Sequence, residues 1–310
     1  MSDKQTAREI SYAHSARSRG GRAMIRVLEN ATGRLRLIRK VRGYAEEVAE
    51  GRDFWQVMCE RYRIRLEVVG GRIEDIPAEG PLVLVANHPY GILDGLMLGR
   101  ILSQRRAGEF RVLAHKIFRK SPDLERVILP IDFDDTKEAA RRNLGTRKEA
   151  LRYLDHGGAI GIFPGGTVST SLKPFTRPMD PAWRTFTAKM IARSDAQVVP
   201  VYFEGHNSRL FQLASHMHYT LRMGLLIREF RARVGSTVRV VIGRPVPAAR
   251  LDPLRSDPKA MMEVLRRATY ELSPSPLAAD AIGFEYEDRH RVKADRAEAG
   301  GTGDNGGGHL

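Results

Sequence analysis

The chain alternates short apolar runs with longer stretches of mixed polarity. Residues 64–69 alternate apolar and polar side chains and end at two glycines, which is typical of a half-buried strand. Residues 81–86 are almost continuously apolar and predict a strand buried on both faces. By similar patterns, further strands are predicted at 110–114, 127–131, 159–163, 198–203 and 238–242.

Between these strands lie stretches with helical character. Helices are predicted at 93–102, 136–155, 181–194 and 258–272. Strands that are separated by helices favour an α/β fold, in which helices flank a mixed, largely buried β-sheet.

The amino-terminal segment differs from the rest in charge. Between Arg17 and Arg42 nine residues are Arg or Lys, and only Glu29 is acidic. Apolar side chains are interspersed, so a basic, partly amphipathic helical segment is predicted. Such a segment either lies on a membrane surface or packs on the main domain, and the sequence does not choose. We therefore divide the chain into a basic helical segment (1–63), an α/β domain (64–275) and a carboxyl-terminal extension (276–310) that is predicted to be disordered from about residue 294.

Composition narrows the partners and the compartment. The 310 residues carry a net charge of +14, so a polyanion is expected as a partner: nucleic acid, an anionic membrane or an acidic ligand. Recognised nucleic-acid motifs are missing and aromatic residues make up only 7%, so we expect no nucleic acid. The single cysteine, Cys59, fits a reducing cytoplasm. With no run of about 18 apolar residues, no transmembrane helix is predicted.

A candidate catalytic pair follows the strand at 81–86. Asn87 and His88 come directly after it, Pro89 and Gly91 favour a tight loop, and Asp94 stands where a helix begins. A neutral imidazole can take a proton from a hydroxyl or an amine, and a carboxylate at its other nitrogen fixes the tautomer. On a continuous helix a spacing of six would separate the two groups, so the loop is required. The alternative is a structural histidine followed by an aspartate that caps the helix.

Two further blocks decide between these alternatives. They read Gly-Ile-Phe-Pro-Gly-Gly-Thr-Val-Ser at 161–169 and Val-Pro-Val at 199–201, after strands. With Asn-His-loop-Asp, and in this order, the chain resembles the lysophospholipid and glycerolipid acyltransferase family over about residues 68–247. The resemblance implies that His88 is the general base and that Asp94 orients it. It also implies an acyl donor that is an acyl-carrier-protein or coenzyme A thioester, with no metal and no further cofactor.

The resemblance has three departures. Five residues separate His88 from Asp94, whereas the family usually has four. Gly165 and Val168 replace the family's Glu and Arg in the second block, and Phe133 stands where an Arg usually grips the acceptor phosphate. A phosphate dianion needs several cationic or N–H donors. A phosphate-free lyso-lipid, such as an amino-acid-containing one, would suit such a site better than lyso-phosphatidate. Lys116, Lys173 and Arg177 are alternative sources of charge, so the sequence leaves the identity of the acceptor open.

The predicted substrate contacts cluster in these loops. They are Asn87, Tyr90, Gly91, Lys116, Phe163, Pro164, Gly165, Gly166, Thr167, Ser169, Asn207 and Arg209. For Asn207 the alternative is the start of a helix that is capped by Asn207 or Ser208, and for Lys116 a solvated surface lysine. The glycines at 165 and 166 either let the backbone approach the substrate or donate N–H groups to the thioester oxyanion. His216 and His218 resemble a metal pair, but no third ligand is evident.

The sequence thus predicts an enzyme that transfers a fatty acyl group to the hydroxyl of a lyso-lipid, at the inner face of the cytoplasmic membrane. Its expected partners are the lyso-lipid, the acyl donor and an anionic membrane surface, and the oligomeric state is left open. The alternatives are an N-acyltransferase, which makes an amide, an O-acyltransferase of amino-acid-containing lyso-lipids, and a basic nucleic-acid- or membrane-binding protein without catalysis.

Overall fold

A single large sheet organises the chain. The computed structural model describes residues 11–16, 18–115, 122–131 and 137–285. Its strands are β1 (Arg65–Gly70), β2 (Leu82–Ala86), β3 (Phe110–His115), β4 (Ile128–Ile131), β5 (Ala159–Ile162), β6 (Thr170–Ser171), β7 (Pro178–Met179), β8 (Gln197–Phe203) and β9 (Thr237–Ile242). Within these residues seven strands pair in the order β1-β9-β8-β2-β5-β3-β4, and β6 and β7 form a separate hairpin. The predicted α/β class with a mixed, helix-flanked sheet is confirmed.

The order of the strands brings three loops together. β8, β2, β5, β3 and β4 run parallel, and β9 pairs with β8 antiparallel. Val85 lies opposite Ile162 on one side and opposite Pro200 on the other. The strands of this central trio therefore end at one edge of the sheet, the edge at which open α/β folds build their sites.

Helices cover both faces. They are α1 (Arg19–Thr32), α2 (Arg34–Lys40), α3 (Tyr44–Ala49), α4 (Phe54–Tyr62), α5 (Ile92–Arg106), α6 (Pro122–Glu125), α7 (Lys137–Asp155), α8 (Phe186–Ile191), α9 (Arg209–Met217), α10 (Tyr219–Arg233), α11 (Ala248–Leu251) and α12 (Pro258–Tyr270). Leu82 and Leu84 of β2 belong to one apolar cluster, and Val83 and Val85 to a second one. This double burial is why the strand is apolar at every position.

The basic amino-terminal segment is not one helix. Gly33 and Gly43, with φ of 114° and 78°, end and restart it, because glycine adopts these angles without a steric cost. Ile25, Leu37 and Trp55 belong to the same apolar cluster as Leu82 and Leu84 of β2. The segment thus packs on the domain with one face, and the predicted boundary at residue 63 stays a prediction. No helix within the described ranges is long and apolar enough to cross a membrane.

Two regions differ from the sequence prediction. The helix predicted at 181–194 is shorter, Phe186–Ile191, because the ring N–H of Trp183 donates to Asp180 and the N–H of Arg184 donates to Pro164. These contacts hold the preceding residues in a loop. Helix α9 begins where the alternative interpretation of a capped helix start placed it, whereas α10 was not predicted, since its buried face contains polar side chains such as Arg222 and Glu229. The predicted disordered tail from about residue 294 lies outside the described residues.

Candidate active site

His88 and Asp94 meet at the sheet edge. Nδ1 of His88 lies 2.9 Å from Oδ2 of Asp94. The carboxylate is fully buried, whereas the imidazole remains 19% exposed. The ring therefore has one nitrogen turned to a carboxylate, while part of its surface remains accessible. This is the arrangement that a general base needs.

The loop between them explains how a spacing of six becomes a contact. Gly91 has φ of 90° and ψ of −121°, a conformation that favours glycine, and helix α5 begins at the next residue. Asp94 therefore lies in the first turn of the helix. Its Oδ2 accepts the N–H groups of Tyr90 and Gly91 at 2.7 and 2.9 Å. Asp94 thus caps the helix and contacts His88 at once, so the two interpretations of this residue do not exclude each other.

Burial and hydrogen bonding act on Asp94 in opposite directions. Burial raises the pKa of its carboxyl group above the ordinary value, whereas the His88 imidazole and the backbone N–H groups of Tyr90 and Gly91 lower this pKa. An ionised carboxylate at this depth is stabilised by an imidazolium next to it.

The second motif supports the imidazole from one face. The ring of Phe163 stacks on that of His88, with centroids 4.3 Å apart and an interplanar angle of 22°. After Phe163, Pro164 and Gly165 turn the chain, and the N–H of Gly166 donates to the carbonyl of Phe163. That N–H is used within the turn, so the predicted donation by Gly166 to a thioester oxyanion has no support here. Thr167 is half-buried at the end of this turn.

Asn87 and Tyr90 hold the loop against β8. The amide of Asn87 donates to the carbonyl of Phe203 at 2.9 Å and accepts its N–H at 2.7 Å. The hydroxyl of Tyr90 donates to the carbonyl of Glu204, and burial raises the pKa of Tyr90 to about 12. A Cβ on Gly205 would lie 1.9 Å from this hydroxyl, so that position has no room for a side chain. Asn87 and Tyr90, which were predicted to contact the substrate, therefore hold the loop of His88 in place through these hydrogen bonds.

Sequence reasoning missed a buried arginine under the second motif. The guanidinium of Arg222, on α10, donates to the hydroxyls of Thr167, Thr170 and Ser215 and to the carbonyl of Val168. The side chain is 2% exposed. No local signal could have revealed it, because the contacts span up to 55 residues along the chain and an arginine on a helix is usually solvated.

The amino-terminal segment also reaches the catalytic loop. The hydroxyl oxygen of Tyr12 lies 3.6 Å from the position that a Cβ on Gly91 would take. Tyr12 is held by the buried Glu29 of α1, which accepts the N–H of Tyr12. Glu29 also accepts the hydroxyl of Ser11 at 2.7 Å. Burial raises the pKa of the Tyr12 phenol above its ordinary value. Nothing in the sequence pattern indicated that Tyr12 lies beside the loop that contains Gly91.

The remaining predicted residues are less directly connected. Asn207 is buried after β8, and Ser208, not Asn207, caps α9 by accepting the N–H of Phe211. Arg209 is exposed in the first turn of that helix. Lys116 and Phe133 lie outside the described residues. The ring of His216 contacts the carbonyl of Ser171, and His218 caps α10. Both histidines, which resembled a metal pair in the sequence, therefore have structural contacts.

Comparison with known proteins agrees with this geometry. A family described as Acyltransferase matches residues 44–279, about three quarters of the chain. The chain belongs to this acyltransferase family. The resemblance stated from the three motifs is thereby confirmed, and the protein is an enzyme that transfers acyl groups.

Individual relatives of this acyltransferase are more distant. The lyso-glycine lipid O-acyltransferase of Phocaeicola vulgatus is 27% identical over 229 residues, which are 72% of this chain and 78% of that protein. That of Bacteroides thetaiotaomicron is 28% identical and covered to 80%. Among solved structures, the 1-acyl-sn-glycerophosphate acyltransferase PlsC of Thermotoga maritima aligns over 86% of this chain and 87% of its own, with 15% identity and a TM-score of 0.46.

Proposed function

We propose that this acyltransferase esterifies the hydroxyl of a phosphate-free, amino-acid-containing lyso-lipid, with an acyl-carrier-protein or coenzyme A thioester as donor. The observation that carries the reaction is the 2.9 Å contact between Nδ1 of His88 and Oδ2 of Asp94 at the accessible sheet edge. The acceptor class is supported by two relatives that are both named lyso-glycine lipid O-acyltransferase.

In the proposed reaction Nε2 of His88 takes the proton from the acceptor hydroxyl. The hydroxyl oxygen attacks the thioester carbonyl carbon, and a tetrahedral oxyanion forms. The C–S bond then breaks, the ester is released, and the thiolate takes the proton from the imidazolium. Asp94 keeps Nδ1 protonated throughout and stabilises the imidazolium by its negative charge.

The electrostatics of the second motif support an acceptor without phosphate. Val168, which replaces the family's Arg, is a buried apolar residue that would contact a side chain at Gly91. Arg222, which is buried under the second motif, has N–H groups that donate to four protein oxygens. A phosphate dianion needs donors that point at it, and these point at the protein.

A panel of acceptors tests the proposed specificity. The purified protein is given palmitoyl-coenzyme A or palmitoyl-acyl-carrier-protein together with a lyso-glycine lipid, a lysophosphatidate or an amine analogue that has NH₂ in place of the hydroxyl. We expect ester formation on the lyso-glycine lipid with kcat/KM at least about tenfold above that for lysophosphatidate, a difference of about 1.4 kcal/mol. Mass spectrometry of the products measures this. Equal or faster use of lysophosphatidate, or an amide as the main product, contradicts the proposal.

We also propose that the enzyme acts as a peripheral protein at the cytoplasmic face of an anionic membrane. Met24, Val27 and Leu35 are more than half exposed on α1 and α2, although they are apolar. Exposed basic residues accompany them, among them Arg19, Arg36, Arg39 and Lys40. Apolar side chains that enter the interface, together with cations that attract anionic headgroups, are typical of surface-bound helices.

Charge reversal separates this surface from general basicity. In Arg19→Glu/Arg36→Glu/Lys40→Glu we expect markedly weaker sedimentation with phosphatidylglycerol-containing liposomes in low salt, since each well-placed cation contributes about 1 kcal/mol. The matched control is Arg141→Glu/Lys148→Glu/Arg152→Glu, which changes the net charge equally on the exposed side of α7. If both triple variants lose binding to the same degree, or neither does, the α1–α2 surface has no specific role.

A further inference from the structure

A second buried carboxylate lies behind His88 and takes no part in the proposed proton transfer. Asp180, directly after β7, has no exposed surface. Its Oδ1 accepts the backbone N–H of His88 at 3.2 Å and the hydroxyl of Ser169. Its Oδ2 accepts the indole N–H of Trp183 at 2.9 Å. Three donors from three segments thus converge on one carboxylate.

This carboxylate completes a clamp on the backbone of the catalytic histidine. The N–H of His88 donates to Asp180, and the carbonyl of His88 accepts the N–H of Ser169 at 2.8 Å. Because Ser169 also donates its hydroxyl to Asp180, both backbone polar groups of His88 are tied to one unit. With Phe163 on one face of the ring and Asp94 at Nδ1, the imidazole is held from several directions.

The same carboxylate explains the glycine at position 165. A Cβ on Gly165 would lie 3.3 Å from Cγ and Oδ2 of Asp180 and 3.4 Å from its Cβ. The backbone conformation does not require glycine at this position, since the φ angle of Gly165 is not positive. A side chain here would push Asp180 away by a few tenths of an ångström, so space rather than backbone conformation favours glycine. The glutamate that the family resemblance implies at this position is absent, and the carboxylate of Asp180 lies against the glycine instead.

We propose that Asp180 is a positioning residue, which fixes the backbone of His88 so that its ring is aligned for proton transfer, and that Gly165 leaves the space this carboxylate occupies. The proposal rests on the proposed role of His88 as the general base. It predicts that two residues 15 apart in sequence, one charged and one without a side chain, act as a single unit.

Turnover measurements on three single variants and one double variant test this unit. Asp180→Ala, Asp180→Asn, Gly165→Ala and Gly165→Ala/Asp180→Ala are assayed with palmitoyl-coenzyme A and a lyso-glycine lipid. We expect kcat per folded molecule to fall by about 10- to 100-fold in Asp180→Ala and Gly165→Ala with a nearly unchanged KM, since small misplacements of a reacting group carry losses of this order. Asp180→Asn should lie between these variants and the unchanged enzyme, because an amide cannot accept from all three donors.

The double variant decides whether the two positions act together. If Gly165→Ala acts by displacing Asp180, the double variant is no slower than Asp180→Ala alone. Gly145→Ala is the control, because Gly145 lies on α7 with open space around its Cα and should leave kcat unchanged. Circular dichroism and the thermal midpoint determine the folded fraction, and if Asp180→Ala does not fold, Asp180→Asn and Gly165→Ala carry the test.

The outcomes separate this inference from the proposed function. Unchanged kcat in folded Asp180→Asn and Gly165→Ala overturns the positioning role, as do losses that vanish once the folded fraction is taken into account. Losses that multiply in the double variant overturn the steric link. If these variants stay active while His88→Ala is inactive, only this inference is wrong. If His88→Ala is itself fully active, the proposed function is wrong.

Discussion

His88→Ala should lower kcat by about 10²–10⁴-fold, the usual contribution of a general base. The expected loss lies in kcat rather than KM, because the imidazole acts on the proton in the transition state and not on the bound lipid as a whole. The fold should persist, since His88 is half-buried in a loop whose backbone is held by Asp180 and Ser169. Steady-state kinetics with palmitoyl-coenzyme A and a lyso-glycine lipid, with circular dichroism alongside, measure both.

His156→Ala is the matched control for this experiment. His156 is exposed, one residue beyond α7, and within the described part of the chain its ring nitrogen contacts the carbonyl of Arg152. Removing the His156 side chain should leave kcat unchanged and should change the free energy of unfolding by no more than about 0.5 kcal/mol. If His88→Ala keeps the turnover of the unchanged enzyme, the chemistry lies elsewhere in the protein.

Asp94→Asn should lower kcat on the order of 10²–10⁴-fold while leaving the loop in place. The amide oxygen can still accept the N–H groups of Tyr90 and Gly91, so the cap of α5 survives. The uncharged amide no longer stabilises the imidazolium. It also permits the tautomer of His88 in which Nε2 carries the proton, and this tautomer cannot act as the base.

A cap elsewhere in the chain provides the comparison for Asp94. Asp257 caps α12 by accepting the N–H groups of Lys259 and Ala260, so Asp257→Asn makes the same chemical change at a helix start. We expect near-normal kcat in Asp257→Asn and a large loss in Asp94→Asn at similar thermal midpoints. Should both variants show normal turnover per folded molecule, Asp94 is a cap only.

The variants of His88 and Asp94 test the proposed proton transfer, whereas those of Asp180 and Gly165 test how the histidine is held. In the proposed mechanism His88 and Asp94 act on the proton, whereas Asn87, Tyr90, Phe163 and Asp180 hold the histidine or its loop. A site supported in this way requires strands β8, β2 and β5 to end together, which the parallel register ensures. The acceptor panel then addresses specificity, which depends on charges outside the catalytic pair.

Local sequence patterns were sufficient for the seven strands of the large sheet and for the His88–Asp94 pair, but not for the short hairpin of β6 and β7. β2, β5 and β8 are short apolar runs that end directly before polar or glycine-rich loops, so both burial and loop position follow from hydrophobicity. Pro89 and Gly91 indicated an irregular turn, and the structure shows why: the φ of 90° at Gly91 brings Asp94 back to His88. The motif order then identified the family, which the match over residues 44–279 confirms.

What the sequence by itself determined is thus the α/β class, the family and the pair His88–Asp94, because each depends on periodicity or on residues close together in the chain. Only the tertiary structure placed Asp180, Arg222 and Tyr12 around that pair. Their contacts join segments far apart in sequence, and a buried charged side chain has the same local pattern as a solvated one. Whether such a residue is exposed or enclosed depends on which helices and loops pack over it, and no local stretch of sequence contains that information.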